Sequence, residues 1–453
     1  MDLAGVAEHL AQLGIDVLTD DLEPYGRDET MNLFAAPGLV VRPRSTAEVV
    51  EVLRVADEES IPVTPRGGGT GKAGGCIPVA GGIVLGLEKM ARIKEIDAAN
   101  RFAVVEPGVV LWTFHEECAK RGLLYPIDMS SGGTCELGGN LACDAGGERA
   151  VKYGTTRAQV TGCEAVLMGG RVVRTGGKLA KNAAGYALHH LLVGSEGTLG
   201  VITEATLRLQ PMPTQRRTLL AAFGSLDRAA RAALEVEKAG FTLSAIELVE
   251  RAGAALAEEM LKESLPHPKA AALLLVEIEG FKEAAADAEL EAVGEALLEA
   301  GADEVDLAPR EKVWRVRHAV AEAIKRLPAY SAVDAVVPRS LMPELVRRAH
   351  AAASRHGVEV VCFGHAGDGN IHVDFVKRRA DDPSWDTGIA PAIRDVLAAT
   401  VELGGSITAE HGVGLLRRDD LALQYDDGTI AAMKALKAAW DPKGLLNPGK
   451  IWA

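Results

Sequence analysis

Positive charge is in short supply in this chain. Its 453 residues carry 49 Lys and Arg against 63 Asp and Glu, a formal net charge of −14. That argues against broad binding to nucleic acid, which needs a basic footprint, but not against one nucleotide in a local pocket. Long apolar runs are missing too: none approaches the ~20 residues that span a bilayer, so no transmembrane segment is expected. The opening MDLAGVAEHLAQLG is acidic and amphipathic, unlike a signal peptide. Cysteine is sparse. The six (Cys76, Cys118, Cys135, Cys143, Cys163 and Cys362) include no Cys-x-x-Cys pair, which removes iron–sulfur and zinc-knuckle spacings. A reduced, cytoplasmic protein is the expectation. If the protein moves electrons, it has no iron–sulfur centre of its own to receive them.

What is present is otherwise ordinary for a globular protein, 48% apolar and 25% charged. The length calls for two domains or more. Ser45-Thr46-Ala47-Glu48 is a capping box. It opens a helix with Val49, Val50, Leu53 and Ala56 on one face. Strand-like stretches at 61–64, 82–87 and 102–110 follow, in a glycine-rich half that ends near Leu209. RLQPMPTQRR, residues 208–217, reads as a linker. Beyond it, helices at 226–239 and 283–300, closed by Gly240 and Gly301, alternate with short strands such as 271–278. That pattern predicts an α+β second domain with helices packed on a sheet.

The stretch PVTPRGGGTGKAGGCIP, residues 62–78, holds six glycines. Gly69-x-Gly71-x-x-Gly74 matches the dinucleotide fingerprint, but that device needs a helix directly after it. Here CIPVAGGIVLGL follows, and no helix can begin there. The Walker pattern fails as well, since Ala73 follows Gly71-Lys72 and Arg66 holds the required upstream glycine position. Consecutive backbone N–H groups in a glycine run can still form a nest for an anion, with Thr70 as a further donor. Two more glycine-dense segments, 135–154 and 194–203, point to a long ligand wrapped by main chain rather than to isolated turns.

A second constellation is VEVVCFGHAGDGNIHVDF, residues 358–375. Strands at 358–363 and 371–375 flank a turn at 366–370 that contains Asp-Gly. His365 and His372 therefore sit on either side of a tight turn. ITAEHGVG then brings Glu410 beside His411. Two histidines and one carboxylate can hold a divalent metal with positions left open. Any one histidine is better read as a surface or core residue; the three groups together favour the metal.

PRGGGTGKAGG, VEPGV, YPIDMSS, GGNLACDAGGERAVKYGTTR, RTGGKLAKNAAGY and VGSEGTLGVITEATLRL occur in this order. The series resembles the FAD-binding domain of the vanillyl-alcohol oxidase/PCMH flavoprotein superfamily. It is most similar to the glycolate oxidase GlcD and D-lactate dehydrogenase branch, over roughly Leu33 to the C-terminus. The resemblance implies an α+β fold. A PCMH-type FAD-binding domain of two α+β subdomains would span 1–213, and a cap domain with an antiparallel sheet covered by helices 214–440. Residues 441–453 would return to the FAD domain. It implies that Arg66, Gly67, Gly68, Gly69, Thr70, Gly71, Gly74 and Gly75 hold the FAD pyrophosphate. Pro126, Ser130, Ser131, Gly138, Asn140, Gly146 and Gly147 would line the pyrophosphate and flavin. Glu196, Gly200 and Ile202 would lie near the adenosine end, and Asn447 near the flavin.

The same resemblance implies His365, His372 and Glu410 as ligands of Zn²⁺ or Mn²⁺, His411 as general base, and Arg317 and Asn370 as substrate-binding residues. Arg315 is the second arginine of that helix and reads as solvated. The implied reaction is oxidation of a D-2-hydroxy acid, D-lactate or glycolate, to the 2-oxo acid. Electrons would leave to an iron–sulfur subunit, an electron-transfer flavoprotein or a quinone, with the protein cytoplasmic or peripheral to a membrane through such a partner. Two other activities compete: a D-2-hydroxyglutarate-type dehydrogenase, and a non-redox FAD transferase on the same fold. A metal hydrolase would leave the glycine loops unexplained. Relatives of the 2-hydroxyglutarate type carry Lys-Tyr-Asp where this chain has Ala332-Val333-Asp334, so a monocarboxylate is expected.

Two departures from the family pattern stand out. Relatives carry Thr or Ser where this chain has Glu136, and a carboxylate beside a phosphate is repulsive. Covalent members attach flavin through a His in the first loop, which has none here. The FAD is therefore expected to be non-covalent. Acid precipitation should release all flavin to the supernatant; flavin in the pellet would contradict this.

Overall fold

The computed structural model describes residues 2–452, which divide into two compact units. The first comprises residues up to Gly146, Gly154–Met212 and the chain from Glu410 onward; the second comprises Gly147–Tyr153 and Pro213–Ala409. One division, between Met212 and Pro213, falls within 208–217, and the chain rejoins the first unit at Glu410.

Two larger sheets, with a two-stranded ribbon of Leu123–Leu124 and Gln210–Pro211, build the first unit. Leu39–Arg42 and Val63–Arg66 run parallel to the strand between them, Ile83–Gly86, and Asp16–Leu18 adds antiparallel at one edge. The helix Thr46–Glu58 links two of these parallel strands, as a parallel crossover requires. Its Ser45 cap accepts from Glu48 N, and the Glu48 carboxylate reaches back to Arg44 N. Val49, Val52, Leu53, Val55 and Ala56 pack into a core with Leu39, Val41, Ile83 and Leu85. The second sheet has five antiparallel strands, in the order Ile93–Asp97, Phe102–Val105, Val201–Arg208, Val160–Val166, Val172–Gly176. The strand expected over 102–110 stops at Val105, because Pro107-Gly108 turns the chain into the helix Leu111–Ala119.

The second unit is one antiparallel sheet of seven strands. Their order is Glu304–Leu307, Gln215–Phe223, Ala272–Gly280, Ala245–Glu250, Glu359–His365, Asn370–Lys377, Ala329–Val336. Side chains alternate across the sheet with period two. Leu219, Ala221 and Phe223 enter one core with the helices Leu226–Lys238, Met342–His356 and Ser384–Glu402. Leu220 and Ala222 enter the opposite core with Arg251–Leu261 and Arg310–Lys325. Both faces are covered, so strands such as LLLV in Ala272–Gly280 read as continuous apolar runs. Gly240 and Gly301 close their helices at φ +92° and +97°, as expected for αL caps.

All six cysteines are free thiols. Among the described residues, no helix is long and apolar enough to cross a membrane.

Candidate functional site

In the first unit, the strand Val63–Arg66 delivers the glycine run, and no helix follows it. The run lies against the helix Leu137–Cys143 and the turn before it. A Cβ on Gly68 would come 2.3 Å from Thr134 O, and one on Gly67 would come 3.2 Å from Gly139 N. Gly69 and Gly74 take φ +71° and +75°, which only glycine adopts without strain. Gly67 and Gly68 are glycine because backbone packs on backbone. Arg66 turns back on its own loop: one Nη donates to Arg27 O at 2.5 Å and lies 3.1 Å from Cys76 Sγ. The Cys76 thiol is pushed up to about 11, mainly by burial.

Opposite the run, Asn140 and Glu136 are buried, and neither Asn140 Nδ2 nor Glu136 Oε2 has a hydrogen-bond partner. Ser131 O accepts from Thr134 N and Cys135 N in the preceding turn, while Ser130 is exposed and Pro126 buried. Gly138 packs on Pro107, where a Cβ would meet the ring at 2.6 Å. Gly146 lies beside Glu410, whose Oε2 would be 2.9 Å from an added Cβ. Gly147 belongs to the segment grouped with the second unit.

The third glycine segment does something the sequence did not suggest. Glu196, buried and at φ +51°, accepts from Val413 N (2.8 Å) and Gly414 N (2.7 Å), so its carboxylate clasps the returning chain. Gly200 packs against Leu192 and Leu167, and the Ile202 side chain lies in the apolar core. Asn447 Nδ2 donates to Gly75 O and Glu196 O, tying the first glycine loop to the third. Lys450, missed in the sequence, is buried and donates to Ile77 O and Asn447 Oδ1; burial pushes it down to about 8.

In the second unit, strand register sets the histidines. His365 pairs with Asn370 across the hairpin and with Glu247 on the neighbouring strand; His372 pairs with Asp334. Direct cross-strand partners share a face, so Glu247, His365, His372 and Asp334 all point the same way. The two rings stand 5.5 Å apart at 82°. His365 Nδ1 lies 2.6 Å from Glu247 Oε1, and His372 Nδ1 lies 3.6 Å from Asp334 Oδ1. Glu247 at Nδ1 of His365 directs that ring's Nε2 lone pair outward, the arrangement that metal-binding histidines use.

Glu247 and Asp334 carried no local sequence signal, since only pairing partners identify them. Glu247 Oε2 also accepts from Arg317 Nε (2.7 Å) and Nη2 (2.6 Å), and the guanidinium lies over Phe363. Arg317 is buried in that pair, whereas Arg315 is more than half exposed beside Glu263. Asn370 Nδ2 donates to Asp334 Oδ1 and Ala335 O, so both amide hydrogens are engaged and the carbonyl oxygen remains. Asp334 Oδ2 accepts from Ala409 N at 2.8 Å, immediately before Glu410 in the chain. Glu410 and His411 approach each other at 3.9 Å.

The first unit thus offers a main-chain cradle, and the second a buried polar row of Glu247, His365, His372 and Asp334. The comparisons give the family. Residues 37–176 match the FAD binding domain, and residues 212–451 match the C-terminal domain of FAD linked oxidases. The chain belongs to the FAD-linked oxidases and is an FAD-binding oxidoreductase. It is 38% identical to glycolate oxidase subunit GlcD of Bacillus subtilis, over 95% of this chain and 92% of that protein. It is 36% identical to D-lactate dehydrogenase of Archaeoglobus fulgidus, over 95% of both. D-2-hydroxyglutarate dehydrogenase of Xanthomonas citri is 35% identical, over 95% and 93% respectively. The fold is that of p-cresol methylhydroxylase, at TM-score 0.81 and 18% identity over 99% of this chain and 96% of that one.

The cradle makes one prediction. Gly68→Ala puts a methyl group into the Thr134 carbonyl. Overpacking should cost about 1–3 kcal/mol and displace the run, so the variant should purify with little flavin absorbance per protein. Full flavin content in a stable Gly68→Ala protein would contradict it.

Proposed function

We propose that this protein oxidises a short D-2-hydroxy acid, D-lactate or glycolate, to the 2-oxo acid and passes the electrons to a separate acceptor. The observation that carries the reading is the buried histidine hairpin, with Glu247 hydrogen-bonded behind His365 and Asp334 paired across the strands with His372. The names of the full-length relatives, glycolate oxidase subunit and D-lactate dehydrogenase, supply the substrate class.

Both absent groups fit the residues present. The glycine run and the unpartnered Asn140 Nδ2 suit FAD. A divalent ion, Zn²⁺ or Mn²⁺, suits the imidazole and carboxylate donors of His365, His372 and Glu410. When bound, FAD would supply a hydride acceptor and the ion would supply Lewis acidity toward the hydroxy acid. The chain's own groups do the rest. His411 takes the hydroxyl proton. Arg317, with Nε and Nη2 held by Glu247, offers its other Nη to the substrate carboxylate. Asn370, having spent its amide hydrogens, contributes an acceptor. Glu247 fixes the tautomer of His365 and the plane of Arg317 together. The strand Ala329–Val336 brings no lysine beside Asp334, only Ala332, which favours a monocarboxylate over 2-hydroxyglutarate.

Anaerobic mixing with a panel of D- and L-hydroxy acids tests the reading. D-lactate or glycolate should bleach the flavin, with a higher kcat/KM than 2-hydroxyglutarate. A flavin that no hydroxy acid bleaches would sink the redox assignment, and a higher kcat/KM for 2-hydroxyglutarate would sink the substrate class. His411→Ala should keep its FAD and lose flavin reduction; normal reduction would remove the base. Removing an outer-shell carboxylate typically weakens a metal about 10–100-fold. Glu247→Gln should therefore lower metal affinity by that factor in competition with a chelator. Unchanged affinity would leave Glu247 a packing residue.

A further inference from the structure

Glu136 sits where a cofactor phosphate is expected, yet it is an acid. The residue is 8% exposed, its Oε2 is buried, and no protein group bonds to that oxygen. An unsatisfied buried polar atom is costly and needs an explanation. One turn along, Asn140 Nδ2 is unsatisfied in the same way. The two groups lie on one face of the helix Leu137–Cys143 and its cap. That face packs on the glycine run, with Glu136 Cβ 3.6 Å from where a Gly67 Cβ would be. Two unpaired atoms at one wall of an anion cradle point to the same missing partner. A pyrophosphate offers only acceptors, so both protein groups must donate. Asn140 Nδ2 does so in any state; a carboxyl does so only while it holds its proton.

The charged surroundings decide the protonation state. Glu88 faces Glu136 and disfavours a second negative charge; it is itself bonded to Tyr25 Oη at 2.6 Å. Arg66 faces it with the opposite effect, but its guanidinium is engaged with Arg27 O and Cys76. Burial outweighs both and pushes the Glu136 carboxyl up to about 8. Asp28 is a second acid at the far end of the run, 3.6 Å from where a Gly71 Cβ would be, and burial raises it too.

We propose that Glu136 remains protonated at neutral pH and donates its carboxyl hydrogen to a pyrophosphate oxygen of FAD, beside Asn140. The acid then does the work of the hydroxyl that the family pattern places there, with a pH limit that a hydroxyl lacks. The sign follows from linkage. Bound phosphate charge raises the carboxyl pKa further, so the holoprotein keeps the proton to higher pH than the apoprotein. FAD affinity is level below the apoprotein pKa and falls as pH rises through it, by up to about tenfold per unit.

The test is titration of apoprotein with FAD, followed by flavin fluorescence from about pH 6.5 to about pH 9.5, on both sides of the carboxyl's titration. The wild type should bind with constant Kd to about pH 8 and then weaken progressively. Glu136→Gln keeps a donor but cannot ionise, so its Kd should be flat across the range. Glu136→Ala should bind several-fold more weakly at neutral pH and also lose the alkaline slope. Phosphorus NMR of bound FAD should show a pyrophosphate resonance displaced in Glu136→Gln. An alkaline slope shared by wild type and Glu136→Gln, which would assign the titration to Asp28 or another group, overturns the proposal. So does a flat wild-type profile, or a pyrophosphate spectrum indifferent to Glu136→Gln.

Discussion

The chemistry of the second unit hangs on strand register. Glu247 opposite His365, and Asp334 opposite His372, are direct partners in one antiparallel sheet. A slip of one residue would turn either partner to the opposite face. Because apolar cores cover both faces, such a slip would also bury charge among leucines and expose leucines elsewhere. The packing that stabilises the sheet is thus the same packing that aligns the polar row. Burial then gives the row its strength: Glu247 is fully buried, so its bonds to His365 and Arg317 compete with little water.

The first unit solves a different problem with a different material. It has to bring main chain close to a charged, extended cofactor, and side chains stand in the way. Gly67 and Gly68 let the loop lie on the backbone of 134–139, and Glu196 and Asn447 draw distant loops onto it. Those last two residues explain why the chain returns at Glu410: Val413 and Gly414 supply the N–H groups that the buried Glu196 carboxylate requires. A carboxylate that sequence alone would offer to a ligand is satisfied by the chain itself.

Much of this was legible beforehand. Period-two and helical patterns gave the helices 226–238 and 283–299 to within a residue or two, because Gly240 and Gly301 terminate them by local backbone chemistry. The hairpin around Asp368-Gly369 was legible for the same reason, although its strands reach further inward and include His365 and Asn370. Composition alone marked the glycine run as a place where main chain lies close to its neighbours. What could not be read were roles that depend on a partner far away in sequence. Glu247 is one of many glutamates, Lys450 resembles a solvated tail lysine, and Asn370 gave no hint that Asp334 and Ala335 consume its amide.

The sequence by itself determined the class of protein and the glycine and histidine constellations, since each rests on residue type and short-range spacing. The tertiary structure decided which polar groups are already spent and which are left unsatisfied. That distinction rests on burial and hydrogen-bond geometry between residues tens to hundreds of positions apart. It is why Glu196 became a clasp, Arg317 half of a buried pair, and Glu136 an acid with an oxygen and no protein partner.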